Sequence, residues 1–100
     1  KLSLIKIDAE GLDYYILKTL LPILEEFHPT IIMEVFENLS DQLRGEMFEF
    51  LKKLNYDILN IGDFETNINF KPIPVKNKND MPHRGLTENI LIVIPGRYPN

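Results

Sequence analysis

The run Ile5-Lys6-Ile7-Asp8-Ala9-Glu10-Gly11 changes its hydrophobic period within a few residues. From Leu2 to Asp8 apolar and polar residues follow a strand-like pattern, which stops at two carboxylates and a glycine. From Leu12 onward the apolar residues recur at helical spacing. The same change recurs: Thr30 to Phe36 reads as a second strand, Ser40 to Leu54 as a helix, and Tyr56 to Ile61 as a third strand. Alternating strands and helices predict an α/β fold with parallel strands and right-handed crossovers. Such sheets bind ligands at the carboxyl ends of their strands, where Asp8 and Glu10 fall.

Ile16, Leu17, Leu20, Leu21, Leu24 and Phe27 form one broad apolar face on the first helix. Pro22 cannot donate to the carbonyl of Lys18, so it predicts a kink or a split with a fresh turn starting there. His28-Pro29 closes the helix, because a residue before proline is driven out of the α region. Ser40 is the expected N-cap of the next helix, with Asp41 in its first turn. Leu43, Met47, Phe50, Leu51 and Leu54 form its stripe, and Asn55 suits a left-handed end. Residues Glu65 to Thr87 hold Pro72, Pro74 and Pro82 and no helical period. There, a short extended piece around Phe70 to Val75 is expected at a sheet edge. The aliphatic run Ile90 to Ile94 predicts a strand covered on both faces, and it follows a loop without a helix, so it should run antiparallel.

Composition narrows the function classes. With 100 residues the chain forms one domain at most, and its 44% hydrophobic and 26% charged residues are ordinary for a globular protein. No cysteine is present, which removes disulfides, thiolate zinc sites and cysteine nucleophiles. The net charge of -4 argues against nucleic acid as a partner. No apolar run reaches the ~20 residues that span a bilayer, and no signal-peptide pattern is present. No membrane partner is therefore expected, and the expected compartment is the cytoplasm.

Two readings of Asp8 and Glu10 stand side by side. Paired carboxylates at a strand end can orient a substrate, bind a metal or act as a base. Equally, Asp8 can cap the following helix while Glu10 and Asp13 complement its dipole. Glu34 interrupts an apolar strand near its carboxyl end and would sit beside Asp8 if the two strands are neighbours. A carboxylate there needs a partner or a wet crevice. His28 reads as structural, His83-Arg84 as a loop pair, and Tyr14-Tyr15 as packing. Glycine-rich phosphate loops, Ser-His-Asp order and HExxH are absent from the sequence.

The run IKIDAEG, the following Leu-Asp-x-x-Ile-Leu-Lys and the run HPTIIMEV together resemble part of the FkbM-type methyltransferase family. Lys6, Ile7, Asp8, Glu10 and Gly11 match its strand end, Leu17-Lys18 its helix, Glu34-Val35 its next strand, and Glu88-Asn89 its closing strand. Asp13 replaces a usual glutamate, Thr19 stands where glycine is common, and Pro22 disturbs the helix. The resemblance is specific over residues 4–36 and looser beyond. It implies a Rossmann-like, three-layer S-adenosylmethionine-dependent methyltransferase. This chain would be the C-terminal half, supplying family strands in the order 4-5-7-6: a mixed sheet of about four strands with two main helices. The donor-binding half would lie outside it.

By the same resemblance, Asp8 and Glu10 would be catalytic, while Gly11, Glu34 and Asn89 would line the site of a small-molecule or sugar acceptor. The fragment alone is expected to be inactive, and no metal is assigned. A homodimer through the open edge at residues 2–8 is a further expectation. A metal-dependent methyltransferase, with Asp8, Glu10 and Glu34 as oxygen ligands for Mg²⁺ or Ca²⁺, is one alternative. A non-catalytic receiver-like module is the other.

Overall fold

The computed structural model describes residues 4–8, 11–35, 38–62, 72–82 and 88–95. Five strands and three α-helices follow in the order β1 (Leu4–Ile7), α1 (Asp13–Thr19), α2 (Leu21–Phe27), β2 (Thr30–Val35), α3 (Asp41–Lys53), β3 (Asp57–Gly62), β4 (Ile73–Pro74) and β5 (Glu88–Val93). The strands form one mixed sheet in the order β1-β2-β5-β3-β4. β1 and β2 pair in parallel, whereas β5 runs antiparallel to both β2 and β3. The α/β architecture and the antiparallel last strand are therefore as expected, and the sheet is compatible with a Rossmann-like fold.

The element count reflects two features anticipated in the sequence, the split at Pro22 and the edge strand that ends near Val75. The expected two helices are three: Leu20 adopts φ -89, ψ 3 between α1 and α2, and Pro22 stands in the first turn of α2. Pro22 has no N–H to continue the first helix, so a new one starts beside it. The expected four strands are five, because Ile73–Pro74 pairs with Asn60 and Leu59 of β3. That strand is two residues long and lies at the sheet edge, where a proline costs the fewest ladder bonds.

Cross-strand register divides the sheet into two faces. Ile5, Ile31, Ile92 and Ile58 stand level across four strands, and so do Ile7, Met33 and Ile90. Ile31, Met33, Ile58, Ile90 and Ile92 are buried, joined by Leu17, Leu24, Met47 and Leu51 from the helices. The rings of Tyr14 in α1 and Phe50 in α3 meet edge-to-face at 6.0 Å, so both helices cover this same face. The opposite face carries Lys6, Ile32, Leu91, Leu59 and Pro74 in one row. Ile32, Leu91 and Leu59 are partly exposed. Cover on both faces of the last strand, expected from its aliphatic run, is thus incomplete at Leu91.

The first helix buries a narrower stripe than its spacing predicts. Leu17 and Leu24 are inaccessible, but Ile16 is 37% and Phe27 48% exposed. The break at Leu20 resets the helical phase, so residues on either side of it no longer share one face. Helix ends follow local chemistry more closely. Leu43 donates its N–H to Ser40 Oγ at 3.1 Å, the expected cap. Asn55 has φ 65, the expected left-handed residue. His28 also turns left-handed at φ 46, and Tyr56 Oη beside it donates to the carbonyl of Pro29 at 2.8 Å. A structural role for His28 fits this geometry.

Candidate functional site at the carboxyl edge of the sheet

Asp8 follows β1 directly and is exposed. The last paired position of β1 is Ile7 with Met33, so the next step brings Asp8 level with Glu34. Glu34 in turn pairs directly with Asn89 across the β2–β5 ladder. Asn89 pairs with Gly62 at the end of β3. Asp8, Glu34, Asn89 and Gly62 thus lie level across four strands, at the carboxyl ends of β1, β2 and β3. Ile7 and Met33 belong to the helix-covered face, so Glu34 and Asn89 fall on the opposite one. Both are partly buried, and Glu34 Oε1 is shielded from solvent.

Two hydrogen bonds at this row meet at Gly62. Asn89 Nδ2 donates to the carbonyl of Gly62 at 3.1 Å. Gly62 adopts φ 69 and donates its own N–H to Asn60 Oδ1 at 2.8 Å. Gly11 is the one described residue of the expected set that stands outside the row. It turns at φ 101 and donates its N–H to Asp13 Oδ1 at 3.1 Å. Glu10, the second carboxylate expected to be catalytic, lies outside the described residues, as do His83 and Arg84.

The capping role open to Asp8 is not what the structure shows. The N-cap position of α1 is Leu12, with no side-chain cap bond. The acid of the first turn is Asp13, which is 2% exposed and bonded back to Gly11. Gly62 was missed by sequence reading, which ended the third strand at Ile61. The signal available was an Asn two residues before a glycine inside an apolar strand, which marks a bulge.

A separate groove of about 910 Å³ runs along α3, with Tyr14, Arg44, Glu46, Phe50, Lys78 and Met81 among its walls. Neither Asp8, Glu34 nor Asn89 lines it. Its charged rim carries both signs and points to no single ligand, whereas the strand-end row gathers three of the expected residues. Among the described residues, no three His, Asp or Glu side chains converge in a way that could hold a metal ion. No helix among them is long and apolar enough to cross a membrane. The antiparallel β5 in the middle of the sheet also departs from the all-parallel sheet of a receiver module.

The mixed α/β sheet is compatible with the Rossmann-like class of open sheets, which bind ligands at the carboxyl ends of their strands. The family model described as "Methyltransferase FkbM domain" matches residues 1–58, and the chain belongs to that methyltransferase family. No curated protein and no solved structure matches the chain.

Proposed function

We propose that this chain forms the acceptor side of an S-adenosylmethionine-dependent O-methyltransferase, with a small-molecule or sugar hydroxyl as the acceptor. The observation that carries this reading is the register that sets Asp8 level with Glu34, and Glu34 opposite Asn89, at the carboxyl edge. Methyl transfer is a displacement that depends on alignment, and a carboxylate within hydrogen-bond reach of a hydroxyl both orients it and draws its proton. Asp8 is the candidate for that role because it is exposed at the strand end. Glu34, half-buried, serves to hold the acceptor. The family resemblance adds Glu10 beside Asp8.

S-adenosylmethionine, which family membership implies, supplies an electrophilic methyl group when bound. The described residues do not build a cradle for it. The turn after β1 is not glycine-rich, and the N–H of Gly11, its one left-handed glycine, is taken up by Asp13. In this reading residues 1–100 are the C-terminal part of a methyltransferase domain, and the donor-binding groups come from elsewhere. The edge of β1, with no strand beside it among the described residues, is where they, or a second copy in a homodimer, would attach. Leu4 on that strand is 54% exposed, and Leu12 and Tyr15 at α1 are 60% and 51% exposed. Sedimentation of the chain distinguishes a self-paired edge from one awaiting other residues.

In the enzyme that carries this segment, Asp8→Asn should lower kcat by about 10²-fold, the usual scale for losing a positioned acid–base group. Donor affinity should stay unchanged. Equal turnover of the variant on the native acceptor would remove Asp8 from the reaction.

A further inference from the structure

β3 does not end as a regular strand. Its ladder with β5 pairs Asn60 with Ile90 and then Gly62 with Asn89, so Ile61 is an extra residue and the strand bulges there. Bulges re-aim neighbouring groups and gather beside active sites. This one is closed by its own side chain, since Asn60 Oδ1 accepts from the N–H of Gly62 at 2.8 Å. Gly62 sits at φ 69, a left-handed conformation that a Cβ would strain. The bulge therefore sets the direction of the Gly62 carbonyl. That carbonyl accepts from Asn89 Nδ2 at 3.1 Å, and Asn89 is the residue directly opposite Glu34.

We propose that the Asn60–Gly62 bulge is a positioning device for the acceptor site, acting through Asn89. The Gly62 carbonyl fixes the rotation of the Asn89 carboxamide. One amide hydrogen is used in that bond, which leaves the second and Oδ1 on a residue that stands directly opposite Glu34 in the ladder. A carboxylate only accepts, whereas a carboxamide both donates and accepts. A hydroxyl can donate to Glu34 and accept from Asn89 at once. A carboxylate ligand would instead meet the charges of Glu34 and Asp8. Asn60 and Gly62 touch no ligand in this scheme; they determine which way Asn89 faces. The inference rests on the acceptor-site reading above, but its test uses this chain alone and needs no methyl transfer.

The test is NMR of the full chain, following the side-chain amide protons of Asn89. In the unmodified chain these protons should exchange slowly with solvent. Glycerol, a neutral hydroxyl probe, should shift them together with the backbone amide of Glu34, while acetate should not. Asn60→Ala removes the bond that closes the bulge. It should speed Asn89 exchange by about tenfold, the scale of one lost hydrogen bond, and abolish the glycerol shift. Asn60→Asp retains an acceptor oxygen at the same place and should restore both. A merely structural Asn60 would lower the melting temperature without changing either signal.

Unchanged exchange in Asn60→Ala overturns the device, and so does a glycerol shift that survives the substitution. A glycerol shift absent from the unmodified chain overturns the hydroxyl-facing role of Asn89. A full-length enzyme without methyltransferase activity would instead defeat the functional reading, and would leave these NMR results standing.

Discussion

Tyr14 shows how one side chain can serve packing and electrostatics together. It is 5% exposed, its ring meets Phe50 edge-to-face, and Lys18 Nζ lies 4.7 Å from its centroid. Its neighbour Tyr15 stays 51% exposed, so the packing role expected of the pair holds for the first member only. Burial, and secondarily the charge of Glu46, raise the phenol of Tyr14 above its ordinary pKa of 10.0. The unfolded chain then releases this proton near pH 10 while the folded chain still holds it. Its stabilising contribution is fully present below pH 10 and is lost as pH rises through the raised value. Tyr14→Phe should therefore flatten the alkaline loss of stability. Urea midpoints for both proteins at about pH 8 and about pH 11 check this, and parallel curves would show that Tyr14 does not contribute to the loss.

At the scale of elements, Gly45 lies in the interior of α3, where glycine costs about 0.5–1 kcal/mol relative to alanine. A Cβ placed there would meet Lys78 Cδ at 3.5 Å, an ordinary contact. Gly45→Ala should therefore stabilise the chain by about 0.5–1 kcal/mol. For a domain of this size that amounts to a rise of several degrees in Tm. A lower Tm would mean that the turn at Lys78–Asp80 cannot move aside.

Much of the element pattern was readable because its signals are local. Ser40, Pro22 and Asn55 each act on their own backbone, and each did so where expected. The failures have a different origin. Ile16 and Phe27 were assigned to the buried face from an unbroken helical phase, although the break was itself foreseen at Pro22. Asp8 was a plausible cap only while the helix start was unknown, and Leu12 holds that position. The candidate row was half legible: Glu34 interrupts an apolar strand and Asp8 ends one, which is unusual enough to notice. Gly62 escaped because its role depends on Asn89, 27 positions away in sequence.

Seen across the whole molecule, β1 and β4 are the two edges of the sheet among the described residues, and Lys6 on β1 is exposed. A lysine on an edge strand resists pairing with other chains, since its charge would have to be desolvated. Lys6→Val should thus raise light scattering and apparent mass with concentration, relative to the unmodified chain. Identical association curves would show that the edge is guarded by something else.

Among the described residues β5 comes last in chain order, and yet it lies between β2 and β3. During synthesis, everything up to β3 can leave the ribosome before its central strand exists. Until β5 arrives, β2 and β3 each expose a side meant for it, and the emerging chain holds two strand–helix pieces with no ladder joining them. Pairings this distant in sequence close slowly. The nascent protein therefore passes through a stage when Ile31, Met33 and Ile58 are unprotected, and that stage is when a chaperone would be of most use to it.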